Sequence, residues 1–236
     1  MTSLAERAWA APPTDHALYR TDSAQRIRVR CSDGTDLTCW TSLPLDRPAP
    51  LTLLYFHGSG EVVSKLARVS EPTEPDGSQP TFRDLVDYIL VAHGIRTVIV
   101  EYRGFGANER IGPPSMSSVL ADAESCYQAL RVDESKVCVM GRSIGSLPAL
   151  SLARAHPGLA GVILESSLAD PCAYLADKAK MSRAAFCELP VGKLLEPLLN
   201  SLPKVLTTLN RSGIAHGGHA RNAHAIVRLV SRWSVR

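Results

Sequence analysis

A serine between two glycines is the clearest chemical signal in this chain. Gly141-Arg142-Ser143-Ile144-Gly145 follows the apolar run Val137–Met140 and precedes a helix-like segment. A sharp turn between strand and helix holds a serine in a strained conformation with its hydroxyl exposed, and the glycines let the two elements cross closely. The N–H of Ile144 would then face the oxyanion that forms when Ser143 attacks a carbonyl. The pattern predicts a serine nucleophile, with a serine in an ordinary turn as the alternative.

A second glycine-containing turn, His57-Gly58-Ser59-Gly60, ends the apolar run Leu51–Phe56. Past a buried strand, such a turn directs backbone N–H groups at a ligand, and in acyl-transfer sites it supplies the second oxyanion donor. His57 precedes the candidate nucleophile in the chain and stands at the end of a neighbouring strand. We therefore expect His57 to brace this loop and not to act as the catalytic base.

The elements that would position these turns alternate between strand and helix. Two β-prone runs around a turn predict an opening antiparallel hairpin, and further strands and helices follow. The hairpin runs are Arg26–Arg30 and Leu37–Leu43, the strands Leu51–Phe56, Ile95–Val100 and Leu159–Leu164, and the helices a segment from Thr81, Ser117–Leu130 and Ile144–Ala155. This alternation predicts an α/β fold with a mainly parallel sheet and helices on both faces. Loops at the carboxyl ends of parallel strands converge, so Ser59, Tyr102 and Ser143 should meet at one rim.

Composition sets the broad class. The length of 236 residues fits one domain, and 45% hydrophobic with 21% charged residues is typical of globular proteins. No apolar run approaches about 18 residues, so we expect no transmembrane segment. The N-terminus lacks the apolar core of a signal peptide. The six cysteines contain no Cys-x-x-Cys pair, which favours reduced thiols in an intracellular, cytoplasmic protein.

Positive charge collects near the C-terminus. Residues 197–236 carry six basic side chains and no carboxylate, a charge of +6 in a chain whose net charge is +3. Such a tail could bind nucleic acid or make peripheral contact with an anionic membrane. Few aromatic residues lie among the basic ones, which favours a solvated helical face and no nucleic-acid partner. The apolar residues of the tail at helical spacing are Ala225, Ile226, Leu229, Val230 and Trp233.

Four motifs, FHGSG, EYRGFG, GRSIGS and VILESS, occur in this order between residues 26 and 170. Together they resemble the α/β-hydrolase superfamily, and most of all its Bem46-like and ABHD13-like branch of serine hydrolases. The resemblance implies a Ser-His-Asp triad that cleaves an ester, thioester or amide, with an oxyanion hole and no metal or other cofactor. It also implies Ser143 as the nucleophile and the N–H groups of Ile144 and Ser59 as the oxyanion donors.

The C-terminal part departs from the family pattern, in which the acid and then the histidine follow later strands. After residue 170 we find no run of β-branched apolar residues bounded by turns, which suggests a truncated or rearranged end. Leu194–Leu209, interrupted by two prolines, predicts a broken helix that could cap the site.

The acid and the base have candidates with competing structural explanations. No carboxylate follows Glu196, so an acid located after the serine is Glu165, Asp170, Asp177, Glu188 or Glu196. Asp170, just past VILESS, is the preferred one, with a surface or helix-capping aspartate as the alternative. His219 follows two glycines and is the candidate base, ahead of His216 and His224. A solvated histidine in a glycine-rich loop is the alternative.

These observations predict a serine hydrolase that forms an acyl-enzyme on Ser143. Its substrate would be a small molecule or an acyl-protein or lipid ester. The alternative is a catalytically impaired, truncated α/β-hydrolase-fold protein that acts as a binding module or is an incomplete gene product. In either case we expect a polar extension over residues 1–25, a hydrolase core over 26–170, and a helical cap with a basic tail over 171–236.

Overall fold

A computed structural model describes residues 25–63, 93–165, 167, 171–190, 192–195 and 227–228. Its strands are β1 (Gln25–Arg30), β2 (Asp36–Thr41), β3 (Thr52–Phe56), β4 (Arg96–Val100), β5 (Val137–Arg142), β6 (Gly161–Glu165) and β7 (Val227–Arg228). Its helices are α1 (Met116–Ala129), α2 (Ser146–Ala155), α3 (Pro171–Lys178) and α4 (Arg183–Glu188). The helix expected from Thr81 lies outside the described residues.

The strands form one sheet in the order β1-β2-β4-β3-β5-β6-β7. The four central strands are parallel, and the pairs β1-β2, β2-β4 and β6-β7 are antiparallel. The opening hairpin and the parallel centre confirm the expected α/β-hydrolase arrangement. After β3 the chain adds β4 on one side and then β5 on the other. Such a reversal of direction opens a crevice at the carboxyl ends of the strands.

Burial on both faces explains why the central strands are apolar throughout. Every residue of β3 and β4 is buried, and so are the first five of β5. Alternate side chains point to opposite faces of a strand. Leu54 and Phe56 therefore pack with α1 and α2 in one cluster, whereas Leu53 and Tyr55 belong to a second cluster.

The start of α1 has a local cause in the sequence. Ser115 accepts the backbone N–H of Ser118 at 3.0 Å, and the Ser118 hydroxyl accepts the N–H of Ser115 at 2.9 Å. This reciprocal cap satisfies two N–H groups that a helix start leaves without partners. The helix consequently begins at Met116, one residue before the predicted start.

The C-terminal tail departs from the helical prediction. Val227–Arg228 is a strand, and it pairs antiparallel with Ile163 and Leu164 of β6. The expectation of a helix around these positions, and of no strand after residue 170, is wrong here. Backbone groups on the outer edge of β6 need hydrogen-bond partners, and a β-branched valine suits this pairing. The other tail residues named above lie outside the described ranges.

Candidate active site

The structure holds Ser143 in a strained turn between β5 and α2. Its φ is 52°, in the left-handed region that residues other than glycine seldom adopt. Ser143–Gly145 forms a single 3-10 turn, and the hydroxyl of Ser146 donates to the Ser143 carbonyl at 2.6 Å. The side chain of Ser143 is half-buried, so it remains accessible from solvent. Strain of this kind is typical of functional residues that their surroundings hold in place.

The two glycines of this turn are required by close backbone approaches. A Cβ atom on Gly141 would lie 2.3 Å from the carbonyl oxygen of Gly145. One on Gly145 would lie 2.2 Å from the carbonyl oxygen of Phe56, at the end of β3. Any other residue at either place would push these segments apart, because strand β5, the turn and strand β3 touch through their backbones.

The loop after β3 lies directly against Ser143. Phe56 pairs with Gly141 in the parallel register of β3 and β5, so the two strands end side by side. A Cβ built on Gly58 would lie 3.6 Å from the Cβ of Ser143. Ser59 follows Gly58 and is half-buried, whereas Ile144 is buried. The structure thus brings together Ser143 and the two segments that contain Ser59 and Ile144.

His57 supports this loop from inside the protein. Its side chain is fully buried, and Nδ1 donates to the Gly58 carbonyl at 2.8 Å. Nε2 lies 3.5 Å from Oε1 of the equally buried Glu101, without hydrogen-bond geometry. These contacts are those of a bracing residue, as the sequence predicted.

Tyr102 contributes to the same support. Its hydroxyl donates to the His57 carbonyl at 2.9 Å, and the two ring centroids are 4.3 Å apart. Burial raises the pKa of Tyr102 well above its ordinary value. Tyr102 follows β4 and bonds the loop after β3, so these two loops converge as expected, and the Tyr102 side chain is buried. Its size and apolar ring make burial favourable once the hydroxyl has a partner.

A carboxylate that the sequence analysis did not single out joins the two turns. Glu61 accepts the N–H of Gly58 at 2.7 Å through Oε2 and the guanidinium of Arg142 at 2.6 Å through Oε1. The hydroxyl of Tyr55 lies 3.4 Å from the same Oε2. Burial, and then the Glu61 charge, raise the pKa of Tyr55 above its usual value. The available signal was a pair of opposite charges beside two motifs at neighbouring strand ends.

The candidate base and acid, His219 and Asp170, lie outside the described residues, as do His216 and His224. Of the other carboxylates, Glu165 stands 3.7 Å from Nε of Arg142. Within the described part of the chain, no three His, Cys, Asp or Glu side chains are placed to hold a metal ion. In that same part, no helix is both long and apolar enough to cross a membrane.

Comparison with known proteins gives matches to α/β hydrolases. The sequence model of the family described as serine aminopeptidase, S33, matches residues 81–229. The alpha/beta hydrolase domain-containing protein WAV2 of Arabidopsis thaliana is 24% identical over 147 residues, or 60% of this chain and 42% of WAV2. This chain therefore spans less than half the length of that relative.

The solved structures to which this chain is similar include hydrolases from two further organisms. The esterase Pf2001 of Pyrococcus furiosus is 16% identical with a TM-score of 0.48, over 85% of this chain and 73% of that protein. A puromycin-hydrolyzing peptidase of Mycobacterium tuberculosis is 15% identical with a TM-score of 0.44, over 66% of this chain and 25% of its own.

Proposed function

Since the chain belongs to the serine aminopeptidase S33 family of α/β hydrolases, we propose that it is a serine hydrolase acting through an acyl-enzyme on Ser143. The bond cleaved is a carboxylic ester, thioester or amide. One observation carries this proposal: Ser143 has a φ of 52° at the junction of strand and helix, with the Gly58 loop against it. A serine of purely structural importance would not need a strained backbone beside a glycine loop.

The mechanism follows from what each group can do. The hydroxyl oxygen of Ser143 attacks the substrate carbonyl carbon, and its proton passes to His219, which Asp170 orients. The N–H groups of Ile144 and Ser59 stabilise the oxyanion of the tetrahedral intermediate. Collapse of this intermediate expels the leaving group, which takes the proton from His219. A water molecule activated by the same histidine then attacks the acyl-enzyme and releases the acid and free Ser143.

The substrate class and cellular setting are further parts of this proposal. The substrate is a small molecule or the acyl ester of a protein or lipid, and the reaction uses no cofactor. All six cysteines are free thiols, which supports a reducing compartment such as the cytoplasm. The basic residues between 197 and 236 make a peripheral, electrostatic contact with anionic membranes.

The test combines a fluorophosphonate probe with hydrolysis of p-nitrophenyl acetate and butyrate by the purified chain. Ser143→Ala should abolish labelling and turnover, and His219→Ala should lower both by roughly a thousandfold or more because a triad acts as a unit. Asp170→Asn should also slow turnover if this residue orients the base. Ser151→Ala is the matched control, since Ser151 lies on α2 and should leave both signals unchanged.

The outcomes separate the proposal from its alternative. Labelling that Ser143→Ala removes but His219→Ala leaves intact would assign the base to another residue. No labelling in a folded wild-type protein would overturn the enzyme and leave a hydrolase fold that binds without catalysis.

A further inference from the structure

Glu61 connects the two backbone segments that carry the proposed oxyanion donors. Its two carboxylate oxygens are divided between them: Oε2 accepts the Gly58 N–H, and Oε1 accepts Arg142. Gly58 directly precedes Ser59, and Arg142 directly precedes Ser143. One side chain therefore spans from the loop after β3 to the elbow after β5, and charge-assisted bonds of this length are the strong ones.

The packing around Glu61 shows that its place is specific. Its side chain is only 20% exposed, whereas that of Arg142 is 41% exposed. A Cβ on Gly58 would come within 3.3 Å of Oε2, so the carboxylate occupies the room that glycine leaves open. A shift of this carboxylate would disturb Gly58, and Gly58 leads directly into Ser59.

The charges of Glu61 and Arg142 explain why both residues are needed beside the proposed oxyanion position. A lone carboxylate next to the oxyanion position would repel the negative charge that develops in the transition state. Arg142 offsets the charge of Glu61 at 2.6 Å, while Glu165 is more exposed and lies farther from the guanidinium, 3.7 Å from its Nε. Arg142 without Glu61 would still attract the oxyanion, but the Gly58 N–H would lose its carboxylate acceptor and the loop would no longer be held to the elbow.

We propose that Glu61 and Arg142 are positioning residues, forming an ion-pair clamp that holds the Gly58–Ser59 loop against the Ser143 elbow during catalysis. This inference rests on the proposed hydrolase function. Neither residue exchanges protons or bonds with substrate. The clamp acts on kcat through the oxyanion donors and leaves substrate binding largely unchanged.

The experiment is a double-mutant cycle on the full chain with Glu61→Gln, Arg142→Gln and the combined variant. Arg142→Gln should lower kcat for p-nitrophenyl butyrate about tenfold with KM nearly unchanged, the size expected for a coupled charge pair. Glu61→Gln keeps a hydrogen-bond acceptor for the Gly58 N–H, so its kcat should fall less, by about threefold. The double variant should be faster than Arg142→Gln, because the unbalanced carboxylate is gone, and Arg142→Lys should restore part of the rate.

Two further measurements keep the result interpretable. Arg30→Gln removes an ion pair with Asp36 in the opening hairpin and should change neither kcat nor the exchange of the Gly58 amide proton. That exchange, followed by NMR, should accelerate in Glu61→Gln and Arg142→Gln without any catalytic assay. The clamp would be overturned if the wild type is active and Arg142→Gln has the same kcat as Arg30→Gln. It would also be overturned if Glu61→Gln and Arg142→Gln lower kcat equally and their effects add in the double variant. An inactive wild type whose Gly58 exchange still responds would overturn the proposed hydrolysis and reduce the pair to a structural contact.

Discussion

Replacing Gly145 by alanine should damage the elbow even though the backbone there suits alanine. Gly145 has a φ of −62° and a ψ of −14°, ordinary helical values, and helices favour alanine over glycine by about 1 kcal/mol. The new Cβ would nevertheless lie 2.2 Å from the Phe56 carbonyl oxygen and 2.6 Å from that of His57. Contacts under 3.0 Å are essentially never found, so the elbow and β3 must separate by at least 0.8 Å.

This separation should lower both the stability of the protein and the rate at which Ser143 is labelled. Phe56 pairs with Val100 on one side and Gly141 on the other, so β3 cannot yield without disturbing the sheet. Overpacking of this kind costs about 1–3 kcal/mol, which lowers the melting temperature of a chain of this length by roughly 3–10 °C. A shift near 1 Å between nucleophile and oxyanion donors should slow labelling of Ser143 roughly a hundredfold.

Gly60→Ala is the matched control for this substitution. Gly60 lies in the loop facing the elbow, is exposed, and has nothing within 4 Å of a built Cβ. Thermal unfolding by circular dichroism and the second-order rate of fluorophosphonate labelling should both stay near wild type. If Gly145→Ala matched Gly60→Ala in both assays, the close crossing of β3 and the elbow would not govern the site, and the reasoning would be refuted.

Two other features of the structure give predictions about stability. Asp122 is buried and accepts two hydrogen bonds from Arg103, at 2.7 and 2.5 Å. Asp122→Asn should therefore lower the free energy of unfolding in urea by about 3–5 kcal/mol. Asp33→Asn removes only the exposed ion pair with the same guanidinium and should cost clearly less, because solvent screens that pair; equal losses would contradict this ranking. Burial raises the pKa of Cys138 from 9.0 to about 12, so the unfolded chain releases this proton first and stability falls as pH rises between these values. Cys138→Ala should flatten that decline by up to about 1.4 kcal/mol per pH unit, and an unchanged slope would mean that the thiol has the same pKa in both states.

The elements near the site could be predicted because their causes are local. The opening hairpin follows from a turn sequence, and β3 and β5 follow from short apolar runs that suit burial on both faces. The strained turn at Ser143 follows from two glycines and a serine at fixed spacing. Each of these signals lies within a few residues of the feature that it predicts.

The features missed by sequence reasoning depend on distant partners. Glu61 and Arg142 are 81 positions apart in the chain, and only the pairing of β3 with β5 brings them together. Val227–Arg228 lies in a segment with helical spacing, yet it forms a strand because the edge of β6 offers backbone partners. The spacing of apolar residues contains no information about a free sheet edge elsewhere in the fold, so it favours a helix where the structure has a strand.

The proposed catalytic parts separate into two groups by their place in the fold. Ser143 and the segments that carry Ser59 and Ile144 depend on β3 and β5, which are paired in the middle of the sheet and buried on both faces. Asp170 and His219 belong to residues that follow β6. A change in those later residues should therefore reduce the nucleophilicity of Ser143 and leave the elbow geometry unchanged. His219→Ala should then retain the wild-type melting temperature while labelling slows, whereas Gly145→Ala should lose both together.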